Sequence, residues 1–123
     1  MLPPMPEPTR RVLFVEDEPA LRISYERYFA GRYRMAFAAT GGEGLAQLET
    51  HRPDVLVLDM RLPDTDGVAL LRQIVARRPG LPVIVTTAYA SIEPQLAVLG
   101  LPYVGYLLKP FDLDDLAARI DAA

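Results

Sequence analysis

The chain has 123 residues, half of them apolar, with 12 prolines and no cysteine; that length suits one domain with its own core, and disulfides, thiolate metal sites and cysteine nucleophiles are excluded. The net charge of −3, with both signs spread along the sequence, excludes the basic stripe that contact with a nucleic-acid backbone demands. No apolar run is long enough to span a bilayer, and the prolines of the opening MLPPMPEPTRR exclude a signal-peptide helix, so the expectation is a soluble cytoplasmic protein that binds neither membrane nor nucleic acid directly.

Met1 to Thr9 carries four of the prolines and no periodicity, which predicts a flexible tail ahead of one domain over residues 10–123. Arg11 to Val15 is a short continuous apolar run, as a buried parallel strand requires. Asp17 or Glu18 then caps a helix that has Pro19 in its first turn, runs through Phe29 and stops near Gly31. Tyr33 to Ala39 is the weakest strand of the set, and Gly41-Gly42 separates it from a short helix over Glu43 to His51. Asp54 to Asp59 is the clearest strand. Leu62 to Gly67 has loop chemistry, and a third helix covers Val68 to Arg78. Val83 to Thr87 is a fourth strand. Ser91 caps a fourth helix with Pro94 in its first turn and Gly100 at its end. Val104 to Leu108 is a fifth strand, and Asp112 to Ala122 a closing amphipathic helix.

Strands apolar on both faces, each followed by a helix, mean a parallel sheet covered on both sides. Right-handed crossovers then give a doubly wound α/β sandwich, whose ligands sit at the carboxyl ends of the strands. Glu16 and Asp17 follow the first strand, Asp59 ends the third, Thr87 the fourth, and Lys109 follows the fifth, so all share one rim. Clustered acids repel unless a cation joins them. Oxygen donors without cysteine suit a hard cation: Mg²⁺, with Mn²⁺ as the alternative. Asp59 can then act as a carboxylate nucleophile toward a phosphoryl group, with Lys109 and the Thr87 hydroxyl stabilising the oxygens. Taken singly, each of these residues has an ordinary explanation as a helix cap, a β-branched strand residue or a solvated charge. The conjunction on one rim carries the reading.

The motifs Val12-Leu13-Phe14-Val15-Glu16-Asp17-Glu18-Pro19, Asp54 to Gly67, Pro82 to Ala88 and Tyr106-Leu107-Leu108-Lys109-Pro110-Phe111 resemble the receiver domain of two-component response regulators. The resemblance covers Arg10 to Asp121 and implies a flavodoxin-like (βα)5 three-layer sandwich with strand order 2-1-3-4-5. It implies Asp59 as phosphoacceptor, with Glu16, Asp17, Asp59 and the Arg61 backbone carbonyl as the metal site. It also implies Thr87 and Tyr106 as a switch pair, Lys109 as the phosphate-binding lysine and a cis Lys109-Pro110 bond. The partners implied are a sensor histidine kinase or histidine phosphotransfer protein. A homodimer or output partner would use the surface of the fourth helix, fifth strand and fifth helix. Such a domain assists its own phosphorylation and dephosphorylation but is no multiple-turnover enzyme. With the last helix ending at Ala123, no effector is expected within this sequence.

Several positions depart from the family pattern. Glu16 stands where Asp is frequent, and Thr65 where Met is. Gly100 to Gly105 is apolar with Pro102 inside it, and the fourth helix is poor in charge. Its apolar residues either contact a partner or second copy, or pack inward. Tyr89, two residues past Thr87, is expected to hinder water at the acyl phosphate. His51, the single histidine, reads as a surface residue near a helix end. The rival functions are a docking module that is never phosphorylated and a Mg²⁺-dependent aspartyl phosphatase. The second lacks the expected general acid, since Arg61 stands two residues past Asp59. Flavin binding lacks a phosphate-cradling loop after the first strand.

Overall fold

In a computed structural model, residues 8–123 are described; most of the expected flexible tail, residues 1–7, lies outside them. Five strands alternate with five helices among these residues: β1 Arg11–Val15, α1 Pro19–Tyr28, β2 Arg34–Ala38, α2 Gly41–Thr50, β3 Val55–Asp59, α3 Gly67–Arg77, β4 Val83–Thr87, α4 Ile92–Leu99, β5 Gly105–Leu108 and α5 Leu113–Ala122. The strands form one sheet in the order β2-β1-β3-β4-β5. Every neighbouring pair is parallel.

Side chains alternate across a strand, so each apolar run feeds two cores. Leu13, Val15, Leu56, Leu58, Val83 and Val85 face the layer built from α2, α3 and Leu96 of α4. Val12, Phe14, Val55, Val57, Ile84 and Leu107 face α1 and α5. Phe14 is the hub of the second core, stacked 4.9 Å from Tyr25 and 5.3 Å from Phe37 between ring centroids. Each fully buried side chain of this kind contributes roughly 1.5–3 kcal/mol. β2 reads weakly because it is the edge strand, paired only with β1 and open at Arg34.

Local capping departs from the sequence expectation at three places. Helix α2 starts at Gly41 rather than Glu43, because Thr40 caps it: Thr40 Oγ1 accepts from the Glu43 amide at 3.1 Å. Glu43 in turn accepts from the Ala39 amide at 2.9 Å, a variant of the reciprocal capping box. Ser91 and Glu18 occupy cap positions, but neither side chain makes a capping hydrogen bond. His51 ends α2 at the surface, with Nε2 3.0 Å from the Arg34 carbonyl oxygen.

The apolar stretch around α4 divides between the two expected arrangements. Leu96 is fully buried, and Leu101 and Tyr103 pack against the core. Val98 is 87 % exposed, and Leu99, Val104 and Leu108 also stand in solvent. Among the described residues no helix is long and apolar enough to cross a membrane.

Candidate functional site

The rim at the carboxyl ends of the strands is built by the period-2 alternation running past the strand ends. The ladder continues through the Glu16 amide, which donates to Ala38, and the Lys109 amide, which donates to Thr87. Glu16 thus keeps the parity of Phe14, Asp59 that of Val57, and Lys109 that of Leu107. All three belong to the α1/α5 side of the sheet. Thr87 has the parity of Val85 and Tyr106 is its neighbour in parity on β5, so these two belong to the α3/α4 side.

Carboxylate oxygens of Glu16, Asp17 and Asp59 lie within 4.8 Å of one another. Glu16 and Asp59 are buried, whereas Asp17 is exposed. Lys109 Nζ donates to Glu16 Oε1 at 2.9 Å and to Asp59 Oδ2 at 3.3 Å. Asp59 Oδ1 accepts from the Arg61 amide at 3.1 Å. Burial, and next the hydrogen bond with Asp59, push the Glu16 carboxyl up to about 8 against the opposing effect of Lys109. Burial works against the Lys109 charge, but hydrogen bonding to Glu16 and the charge of Asp59 outweigh it and hold its ammonium above the ordinary lysine value. Only when all three carboxyls are ionised, Glu16 included, do they exceed the Lys109 ammonium by two negative charges. One divalent cation matches that excess, and an all-oxygen donor set fits a hard one.

The open cleft above these groups, about 390 Å³, is lined by Asp17, Glu18, Asp59, Arg61, Tyr89 and Lys109, with Leu62, Pro63 and Ala88 as apolar walls. Arg61 Nη1 donates to the Tyr89 hydroxyl, and the guanidinium sits 5.8 Å from the centroid of that ring. These two side chains bridge the cleft from β3 to β4. Thr87 is buried and not part of the lining; its Oγ1 accepts from the Tyr89 amide at 3.1 Å. The Tyr106 hydroxyl donates to the Tyr89 carbonyl at 2.9 Å, and Tyr103 lies 6.0 Å from Tyr106 between centroids while donating to Glu93 at 3.0 Å. The Lys109–Pro110 peptide is cis.

The segment between β3 and α3 supplies Arg61. It is closed at its base by the Gly67 amide donating to Met60 at 3.1 Å and by a bridge between Arg61 and Asp66. A Cβ on Gly67 would lie 2.4 Å from the Met60 Cα, so only glycine admits this closure. Sequence reasoning did not find the hydrogen bonds of Asp64 to the start of α2, or that Glu16 is the nearer partner of Lys109. The Thr40–Glu43 spacing was a local signal for the α2 cap; the Asp64 contact has no local signal.

The sequence model of the response regulator receiver domain matches residues 12–121. The chain is 39% identical over 113 residues to the DNA-binding transcriptional regulator NtrC of Salmonella typhimurium, covering 91% of this chain and 24% of that protein. It is 38% identical to the response regulator MprA of Mycobacterium ulcerans, covering 91% of this chain and 49% of that protein. It therefore spans about a quarter of the first relative's length and about half of the second's. A CheY-like response regulator receiver domain protein from Methanospirillum hungatei superposes with a TM-score of 0.82 at 36% identity, covering 92% of this chain and 91% of the other. The response regulator TrrA of Thermotoga maritima, in complex with Mg(2+)-BeF, superposes at 0.80 with 25% identity, over 93% and 98% of the two chains. With the family match running over nearly the whole domain and the fold agreeing strand for strand, this chain belongs to the response regulator receiver domains of two-component signalling, a flavodoxin-like fold.

Proposed function

We propose that this domain is a phosphorylation switch that accepts a phosphoryl group on Asp59 from a histidine kinase or histidine phosphotransfer protein. The observation that carries the reading is the convergence of three carboxylates within 4.8 Å, with Lys109 Nζ 3.3 Å from Asp59. An Asp59 carboxylate oxygen attacks phosphorus, the bond from phosphorus to the donor breaks, and the leaving atom departs with its electron pair. Mg²⁺, which Asp17, Asp59 and the Arg61 carbonyl would hold with support from Glu16, supplies charge neutralisation of the phosphoryl oxygens; Mn²⁺ fits the same donors. Lys109 supplies a second positive charge, released from Asp59 as the carboxylate becomes an acyl phosphate. Arg61 and Tyr89, bonded to each other in the wall of the cleft, would hinder water at an acyl phosphate on Asp59.

The acyl phosphate adds about two negative charges and new acceptor oxygens to the rim. The Thr87 hydroxyl, which accepts from the Tyr89 amide, then donates its O–H to a phosphoryl oxygen. Thr87 and Tyr106 share one side of the sheet, and Tyr106 already bonds to the β4–α4 loop through the Tyr89 carbonyl. Motion of Thr87 and that loop therefore biases the surface of α4, β5 and α5. Exposed Val98, Leu99, Val104 and Leu108 make that surface apolar, as contact with an output partner or a second copy requires. The domain consumes one phosphoryl group per event and is a signalling element rather than a turnover enzyme.

Titration with beryllofluoride, a phosphoryl mimic, separates this reading from a docking module. Mg²⁺-dependent binding that perturbs the Thr87, Tyr89 and Tyr106 resonances is expected. A spectrum unchanged by Mg²⁺ and beryllofluoride together assigns the domain to docking alone.

A further inference from the structure

We infer that Asp64 is a positioning residue for the metal site: it fastens the β3–α3 loop, and with it the Arg61 carbonyl, to the N-terminus of α2. This rests on the reading of the rim as a Mg²⁺ site given above.

The first amides of a helix have no partner within the helix. In α2 the Glu43 amide is capped by Thr40, but the Gly41 and Gly42 amides are satisfied from outside. Asp64 Oδ1 accepts from the Gly41 amide at 2.8 Å and Oδ2 from the Gly42 amide at 3.0 Å. Those two bonds hold the Asp64 carboxyl below its ordinary value. The anion also lies at the positive end of the helix dipole. Contact between loop and helix is close: a Cβ on Gly41 would lie 2.5 Å from Thr65 Cγ2.

Seen from the loop, the base is closed at Met60–Gly67 and Arg61–Asp66, and Asp66 caps α3 through the Val68 amide at 2.9 Å. These contacts fix where the loop begins and ends. Its tip is fixed by Asp64. Arg61 lies three residues before Asp64, and its amide is already bonded to Asp59. Freeing the tip allows the peptide units after Arg61 to swing, so its carbonyl no longer waits in one orientation for the cation. The consequence is weaker metal binding with unchanged chemistry once the metal is bound.

The test is Mg²⁺ binding by calorimetry, with the Mg²⁺ dependence of phosphorylation by acetyl phosphate, on the whole chain. Asp64→Ala should raise the Mg²⁺ dissociation constant roughly tenfold, the lower end of what losing the support of a metal ligand costs. The half-saturating Mg²⁺ concentration rises in parallel, and the rate at saturating Mg²⁺ stays unchanged. Gly41→Ala, which displaces Thr65 from the helix side, should weaken Mg²⁺ in the same way, and Asp64→Asn should fall between. Thr40→Ala removes a cap from the same helix end without touching the loop and should bind Mg²⁺ normally. If Asp64→Ala does not fold, Gly41→Ala and Asp64→Asn decide. Native Mg²⁺ affinity in the Asp64 and Gly41 variants, or equal weakening by Thr40→Ala, overturns the inference alone. Failure of the unsubstituted protein to bind Mg²⁺ overturns the reading of the site and this inference with it.

Discussion

Lys109 Nζ is nearer to Glu16, at 2.9 Å, than to Asp59, at 3.3 Å, so the buried glutamate anchors the lysine and the Asp59 carboxylate shares it. Glu16 thereby holds the lysine in place through both its carboxyl oxygens, and Asp59 can change its charge and shape without releasing the lysine into solvent. Replacing Lys109 should separate two functions. Lys109→Ala removes a cation that competes for the carboxylates, so Mg²⁺ binding is kept or tightened. The rate of phosphorylation by a small donor falls about a hundredfold, the usual loss when a preorganised electrostatic partner is removed. Stopped-time phosphorylation with parallel Mg²⁺ calorimetry checks both; loss of Mg²⁺ binding together with phosphorylation contradicts the assignment.

The Arg61–Tyr89 pair spans the cleft above Asp59. Tyr89→Ala opens one wall and leaves the guanidinium unstacked, so water should reach the acyl phosphate more easily. Loss of the phosphoryl group is expected to quicken severalfold. An unchanged decay after donor removal would mean that the ring does not shield the site.

Asp64 has a depressed carboxyl value, because its charged form accepts two backbone hydrogen bonds. As pH falls, the unfolded chain takes up a proton at this residue before the folded one does. Its contribution to stability is therefore full above the ordinary aspartate range, about pH 4, and fades as pH drops through the lower folded value. The difference in denaturation midpoint between the unsubstituted protein and Asp64→Asn should shrink on acidification below that range. A difference that stays constant down to acid unfolding contradicts the role of the ionised carboxylate.

Gly67 allows the Met60 backbone to approach its own. Because the obstructing atoms are main chain, they cannot rotate away. Gly67→Ala should cost about 3 kcal/mol. It should also weaken Mg²⁺ binding through the loop base, measurable by urea denaturation and calorimetry on one preparation. A variant as stable as the parent would mean that the loop base relaxes freely.

The strands and the rim were legible because both follow from one local rule. Apolar runs such as Val55–Leu58, each followed by a helix, fit a parallel sheet covered on both faces, and the charged residues that stop the first, third and fifth runs land at strands' carboxyl ends. The start of α2 was misplaced because Gly41-Gly42 reads as a break. What lets a helix begin there is the Thr40 cap, which was readable, and Asp64, which was not: the carboxylate lies 22 and 23 residues from its partners. The α4 region stayed open because its apolar residues are too continuous to mark a face. Leu96 goes inward and Val98 outward by helical rotation alone. Pairing of Lys109 with Glu16 was likewise hidden, since a charge at a strand end says nothing of which neighbour it meets across 93 residues.

We expect the Asp59 carboxylate to form an anhydride with phosphate in a cation-dependent reaction. Intact-mass measurement after incubation with acetyl phosphate tests it most directly, with Mg²⁺ present or chelated and with Asp59→Asn alongside. The expected result is the gain of one phosphoryl group by the unsubstituted protein with Mg²⁺ alone, discharged by hydroxylamine. No gain with Mg²⁺, or an equal gain in Asp59→Asn, would mean that Asp59 is not the phosphoacceptor.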